Sequence, residues 1–577
     1  MGPFTPLAVH CAALGAILQF GRAHLARISV FLLVPVPLGS DHFDPDFRRL
    51  PENKMSPTPP NWIALVVFVF FFLLVTVLGF VAARWKSGDL NELHEWGLGG
   101  RRFGTIITWF LIGGDFYTAY TMIAVPALVY SVGAYGFFAL PYTIIVYPIV
   151  FSVMPRLWHV CRENNYLTAA DYIEGRFGSK WLALAVAFTG LVATMPYIAL
   201  QLIGMQVAIA GLGVGGIAFP GMGSLVSQMP WLGNLFGDLP LIIAFIILAL
   251  YTYTSGLRAP AMIAFVKDVM VYIVVIAAVA IIPLHLGGYG AVFQAANQVF
   301  QAKGGTSGLL LKPIQSLPFA SLALGSALAA FMYPHTMTGV LSSSSVDTVR
   351  KNAIFLPIYT ILLGLIALLG YMAIAAGIKI DKPTGVVPAL FNKIFPDWFI
   401  GFSFSAIAIG ALVPAAIMSI GAANLFTRNI WKTFIRPDTS PKGESIVAKN
   451  VSLIVKVGAL AFIIFLPTQY AIDLQLLGGI WILQIFPAVV FGLYRTRLQA
   501  KGLLPGWFAG MVIGTVLAEN MQLKPVYPIP IGGQTYTIYI GLIALSANIA
   551  VSYVVSWILA GIQRGSRTQV ADFVQKR

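Results

Sequence analysis

The chain has 577 residues, of which 58% are hydrophobic and only 10% are Asp, Glu, Lys or Arg, against about 25% charged in an ordinary soluble domain. With a mean hydropathy of +0.83, this composition excludes a string of soluble domains and identifies a polytopic membrane protein, with the lipid bilayer as its surroundings. The net charge of +15 would suit nucleic acid only if the basic residues shared one exposed face; they lie in loops between apolar runs, so no nucleic-acid partner is expected. Two cysteines, Cys11 and Cys161, cannot build a disulfide framework or a four-ligand zinc site.

Residues 1–61 read as an N-terminal extension. Its two apolar stretches, 9–20 and 28–38, are too short to span a bilayer, and no basic segment precedes the first as a signal peptide requires. Met55 is the expected native start, with residues 1–54 an upstream translation or a disordered tail. Apolar runs bounded by charged or Gly/Pro-rich breaks then predict thirteen spans. They lie at 62–83, 106–130, 135–159, 180–212, 239–255, 258–286, 317–341, 351–378, 398–428, 446–466, 470–494, 503–521 and 536–560. The expected organisation is a first helix and loop (62–105), a transport core (106–494), and two further helices with a tail (495–577). Basic residues set the orientation, because cytoplasmic loops retain Lys and Arg. One set of alternating loops holds Arg84, Lys86, Arg101, Arg102, Arg162, Arg176, Arg350, Arg428, Lys432, Arg495 and Arg564; the other holds only Lys303, Lys312, Lys379, Lys382, Lys393 and Lys524. The C-terminus is therefore expected in the cytoplasm.

Two spans break the rules of a lipid-exposed helix. The second carries Gly113, Gly114, Asp115, Phe116, Tyr117 and Thr118 near its middle, then Pro126; the seventh carries Tyr333, Pro334, His335 and Thr336 away from its ends. Polar or interrupted backbone at membrane depth must face protein or water. Each break opens a run of five spans, and because five is odd the two runs are oppositely oriented. Matching broken helices in two inverted halves point to a transporter's central binding site.

Six segments carry a family resemblance: GGDFYTAYT (113–121), YLTAADYIEGRFGS (166–179), PYIALQLIG (196–204), SGLRAPAMIAFVKD (255–268), YPHTMTGVLSSSS (333–345) and AAIMSIGAANLFTRNIW (415–431). In this order they resemble the sodium:solute symporters over about residues 62–560, nearest the bacterial monocarboxylate permease branch. The resemblance implies an all-α fold of about thirteen membrane helices, one preceding a LeuT-like five-plus-five inverted-repeat core. It also implies alternating access, ion-coupled uptake, no organic cofactor, and a small organic anion such as lactate, pyruvate or acetate as substrate, with alanine a further candidate.

The family's sodium site maps by motif to backbone carbonyls of Gly113 and Phe116 on the first broken helix, and to Ala416, Ser419 and Ile420 on the ninth span. Oxygen ligands are what a hard cation requires. Ile420 departs from the pattern, since a Ser or Thr is usual there and isoleucine supplies no side-chain oxygen. A second departure is Lys267-Asp268, where a neutral hydroxyl residue usually precedes the Asp. Two readings of Lys267 stand at this stage. Either its ammonium, near Asp268 or Asp115, replaces the ion and makes coupling proton-driven or sodium-independent, or it snorkels to the interface. Sodium and proton both remain open as coupling ion.

Asp115 is read either as a cation-pathway carboxylate or as a protonated or hydrogen-bonded acid at the break. Tyr117, Thr118, Tyr333 and His335 flank the breaks as candidate solute contacts, with a structural histidine as the alternative for His335. Gln201 and Tyr197 share a helix face and, with Gln206, could equally serve interhelical hydrogen bonds. Gln475 and Gln484, around Gly478 and Gly479, are candidates for an outer gate. The serines 342–345 are expected to cap a helix. No nucleophile-base pattern or phosphate loop occurs, so neither an enzyme nor an ATP-driven pump is expected. The alternatives to a monocarboxylate symporter are a sodium symporter for an amino acid or vitamin, an uncoupled facilitator, a channel, or a membrane sensor on the same scaffold.

Overall fold

The computed structural model describes residues 60–85, 88–214, 239–465, 468–494 and 497–575; the expectations for residues 1–54 and for Met55 lie outside them. Among the described residues ten helices are long and apolar enough to cross a membrane, and four more apolar helices are shorter. Two of the short ones, Thr105–Phe116 and Thr121–Val132, are the halves of the second expected span.

The chain opens with α1 (Trp62–Val81), capped by the Asn61 side chain accepting from the Ala64 amide at 3.1 Å, and the short α2 (Leu93–Leu98). The first half of the core follows as α3 (Thr105–Phe116) and α4 (Ala119–Val132), α5 (Ala139–Glu163), the short α6 (Ala169–Phe177), α7 (Lys180–Gly211), α8 (Leu239–Ser255) and α9 (Arg258–His285). A helix outside any expected span, α10 (Tyr289–Lys303), leads to the second half. This comprises α11 (Pro313–Ala330) and α12 (Pro334–Leu341), α13 (Val346–Phe355) with α14 (Pro357–Ala375), the short α15 (Val386–Ile394), α16 (Asp397–Phe426), α17 (Pro441–Phe465) and α18 (Thr468–Ile482). The order recurs: a broken helix, a long arm, a short helix, then three helices. Beyond it lie α19 (Ala500–Asn520), β1 (Val526–Ile531), β2 (Gln534–Tyr539) and α20 (Ile540–Gln575).

The two strands pair antiparallel from Val526 with Tyr539 to Ile531 with Gln534. They correct the expected last span, which begins at Ile540 and not at 536. The turn residues Gly532 and Gly533 have φ of 58° and 80°, the left-handed pair that a tight hairpin demands. The expected capping by the serine run is seen at Ser345, whose hydroxyl accepts from the Thr348 amide at 3.1 Å and starts α13.

The centre of the fold is α16, whose most apolar stretch is entirely buried. Small residues let its neighbours approach. A methyl at Gly401 would run into the α1 backbone at Ala64, and one at Gly421 would lie 2.9 Å from the Pro334 carbonyl carbon. By contrast α1 turns Trp62, Val66, Phe70 and Val77 outward, the apolar surface that lipid covers.

Candidate functional site

Each break has a local cause. Gly113 and Gly114 are poor helix formers, and α3 ends just after them with Tyr117 at φ −102° and ψ 83°. Thr118 then caps α4: its hydroxyl accepts from the Thr121 amide, and its own amide donates to the Thr121 hydroxyl. In the second half Pro334 holds the first position of α12, where its missing N–H is harmless, and it drives Tyr333 into an extended conformation at φ −66° and ψ 142°. A threonine closes each break. Thr121 donates to the Phe116 carbonyl at 3.1 Å, and Thr336 to the carbonyls of Ala330 and Tyr333 at 3.0 and 2.9 Å.

The breaks face one another. The rings of Phe116 and Phe331 lie 5.3 Å apart, and Nε2 of His335 is 3.8 Å from a carboxylate oxygen of Asp115. Tyr197 of α7 joins them, its ring 5.6 Å from that of Tyr333 and 5.4 Å from that of His335. At the breaks and on the helices beside them several buried polar atoms have no hydrogen-bond partner among the described residues, as do others elsewhere in the fold. Those at the breaks and beside them include both oxygens of Asp115, the hydroxyls of Tyr117 and Tyr333, both amide atoms of Gln201, Nδ1 of His335 and Oε1 of Gln475. Each such group costs about 1–3 kcal/mol unless something supplies a partner, and a cluster of them marks where a polar solute or water would be held.

The Lys267 side chain is fully buried, whereas a snorkelling lysine holds its ammonium in water. Nζ of Lys267 donates to the carbonyls of Gly114 at 2.7 Å and Tyr117 at 3.1 Å, and pairs with Asp268 at 2.8 Å, not with Asp115. The ammonium thus sits at the C-terminal end of α3, where freed carbonyls and the helix dipole favour a cation. Tyr359 of α14 donates to the other Asp268 oxygen at 2.6 Å, and its ring stacks on Tyr117 at 5.0 Å. The paired glycines acquire a packing reason: a methyl at Gly113 would enter the Tyr359 ring, and one at Gly114 would lie 2.8 Å from Nζ of Lys267.

The remaining oxygens of the implied sodium site are engaged internally. The Gly113 carbonyl accepts from the Tyr117 amide at 2.9 Å, the Phe116 carbonyl from Thr121, and the Ala416 carbonyl from the Ser419 hydroxyl at 2.8 Å. Ile420 is fully buried and brings no oxygen. Lys267 and Ile420 therefore both fit a sodium ion poorly.

Gln484 is a tie between helices, since Nδ2 of Asn548 on α20 donates to its backbone carbonyl at 2.8 Å. A methyl at Gly479 would make ordinary contacts, 3.4 Å from the Tyr539 hydroxyl and 3.9 Å from that of Tyr333. A narrow cleft runs between α6, α7, α12 and α16 and reaches the second break at Met332 and Pro334.

Sequence reading missed two ion-pair networks at the end of the molecule rich in Lys and Arg. Glu95 of α2 pairs with Arg102 and with the fully buried Arg258 at the start of α9. Arg428 lies 3.5 Å from Asp171 and 3.1 Å from Glu444, which also pairs with Lys432. Asn429 donates to Asp171 at 2.8 Å. The basic residues were visible in the sequence, but loop charges look solvated until tertiary contacts bury their partners.

Comparison with known proteins places this geometry. A profile described as the sodium:solute symporter family matches residues 96–212 and 234–514. A protein of Rhizobium johnstonii named monocarboxylate transport permease protein is 62% identical over 503 residues, covering 87% of this chain and 98% of its own length. The uncharacterized symporter YodF of Bacillus subtilis is 33% identical over 475 residues, covering 81% of this chain and 90% of its own. Among solved structures, the substrate-bound outward-open state of a Na+-coupled sialic acid symporter superposes with a TM-score of 0.66 at 15% identity, covering 86% of this chain and 97% of that one. At that identity the likeness concerns the fold, an inverted-repeat transporter core.

Proposed function

Because this chain belongs to the sodium:solute symporter family, we propose that it carries small monocarboxylates, with lactate, pyruvate and acetate as candidates and alanine as a further one, into the cell by alternating access. It is a multi-pass membrane transporter, not an enzyme. The end rich in Lys and Arg faces the cytoplasm, with the C-terminus on that side of the cytoplasmic membrane, and the networks around Glu95 and Glu444 seal it.

The observation that carries the solute reading is the set of buried donors, unpartnered among the described residues, at the second break and on the adjacent α7. The amide nitrogen of Gln201, the Tyr333 hydroxyl and the His335 ring can donate to a carboxylate, and the N-terminus of α12 adds a favourable dipole. Tyr117, Asp115 and Gln475 complete the surround, and Thr118 shapes it by holding the start of α4. The relative's name, monocarboxylate transport permease, supports the same class.

For coupling, Lys267 takes the place of sodium at the α3 break. Its ammonium satisfies carbonyls that would otherwise ligate an ion, and Ile420 removes a ligand on the opposite wall. Coupling is accordingly to protons. A sodium-coupled reading is favoured by the family and by the oxygens kept at Gly113, Phe116, Ala416 and Ser419. The deciding experiment is uptake of labelled monocarboxylates and alanine into proteoliposomes, with sodium and pH gradients imposed separately. Accumulation with the pH gradient alone is expected. Accumulation driven by sodium alone would overturn the coupling reading, and failure of every monocarboxylate would remove the substrate.

A further inference from the structure

A second lysine lies inside the membrane-spanning part, on α17. Lys456 is 1% exposed. Its Nζ donates to the Ser452 hydroxyl at 2.8 Å, Ser452 donates to the Ser419 hydroxyl at 3.1 Å, and Ser419 donates to the Ala416 carbonyl at 2.8 Å. The three bonds run in one direction, from the amine to the α16 wall of the candidate ion site.

The two buried lysines differ in what surrounds them. Lys267 has a carboxylate and two carbonyls, enough acceptors for all three N–H groups of an ammonium. Lys456 has one hydroxyl, and no described carboxylate lies within ion-pairing distance. Among the described residues no other side chain bonds to Nζ of Lys456. Between Asp397 and Arg428, α16 carries no titratable side chain. Those of the other elements packed against α17 are Lys180 and Tyr197 on α7, Tyr251 and Tyr253 on α8, His94 and Glu95 on α2, Arg428 and Lys432 beyond α16, and Tyr470 and Asp473 on α18. A permanent charge with a single neutral acceptor is expensive at membrane depth. An amine that gains and loses its charge as the surroundings open to water avoids that cost.

We propose that Lys456 is a proton-binding residue of the transport cycle, linked through Ser452 to Ser419. Opened to one side, the amine takes a proton from hydronium, forming an N–H bond and leaving water. Opened to the other, that bond breaks, the proton returns to water and the electron pair stays on Nζ. Lys267 remains the fixed cation and Lys456 the variable one. This rests on the proton-coupled reading above and assigns its carrier.

The test uses the full chain in proteoliposomes with a labelled monocarboxylate and an internal pH-sensitive dye. For each variant the ratio of pH-gradient-driven accumulation to solute counterflow is measured, together with the proton movement accompanying solute. In Lys456→Met the ratio is expected to fall at least tenfold, with solute-linked proton movement lost. Lys456→Arg keeps a permanent charge and flattens the pH profile. Ser452→Ala deletes one oxygen, guards against a lysine variant that does not fold, and lowers the ratio as well. Unchanged ratios and pH profiles in Ser452→Ala and in the folded lysine variants would overturn the assignment. Wild-type protein that moves no monocarboxylate under any gradient would instead overturn the transport reading beneath it.

Discussion

Replacing Lys267 by Met tests the break region most directly. The substitution leaves the Asp268 carboxylate, 1% exposed, with the Tyr359 hydroxyl at 2.6 Å as its one remaining partner among the described residues, and it strips the ammonium from the carbonyls of Gly114 and Tyr117. Breaking a buried pair by removing one member costs about 3–5 kcal/mol, chiefly through the uncompensated charge. Converting the partner as well, in Lys267→Met with Asp268→Asn, removes that charge, and the amide can still accept from Tyr359. The double variant is therefore expected to recover at least half of the loss. Denaturant or thermal unfolding of the four proteins in one detergent closes the double-mutant cycle. A coupling near zero, with the double variant no more stable than Lys267→Met, would refute the claim that a Lys267–Asp268 pair holds the break.

Three further outcomes are expected. Gly113→Ala drives a methyl into the Tyr359 ring and should destabilise by about 1–3 kcal/mol through overpacking, with uptake impaired, whereas Gly104→Ala, where nothing lies within 4 Å, should unfold and transport like wild type. Gln201→Leu removes an amide that has no partner among the described residues, so unfolding should show a fold as stable as wild type or more so, while the concentration for half-maximal uptake rises at least tenfold; an unchanged uptake curve would exclude Gln201 from the solute site. Glu444→Gln weakens the pairs to Arg428 and Lys432, and cysteine-reagent accessibility of the cleft at Thr338 (introduced as Thr338→Cys) should rise as the ion-pair network at that end loosens.

Much of the helical layout was legible because hydropathy is a local property. The helices at 62–81, 180–211, 239–255 and 258–285 fall within a few residues of the expected spans, and both helix breaks lie at the glycine pair and the proline that signalled them. The hairpin at 526–539 was missed because Tyr536 to Tyr539 continue an apolar run into α20; the Gly532-Gly533 pair between alternating stretches was the available signal. At the candidate site, the residue types of Asp115, Lys267 and His335 were conspicuous because charge or imidazole at membrane depth is rare. The sequence did not say that Lys267 pairs with Asp268, or that Tyr359 closes that pair from 91 residues away. Lys456 falls within the expected span 446–466, but its chain of contacts was not legible, since the spacing to Ser452 is visible along one helix while the next link, Ser419, is brought in from another.

Composition and the pattern of apolar runs by themselves determined that the chain is a membrane-embedded, predominantly helical protein with two interrupted helices. The reason is that lipid offers backbone groups no partners, so long apolar segments must form helices and any interruption must be shielded. Only the tertiary structure decided which ammonium fills the first break, which buried donors are left without partners among the described residues, and which arginines at the Lys/Arg-rich end are internal ties. Those outcomes depend on which distant side chain reaches a given atom once the helices pack, and sequence spacing carries no record of that distance.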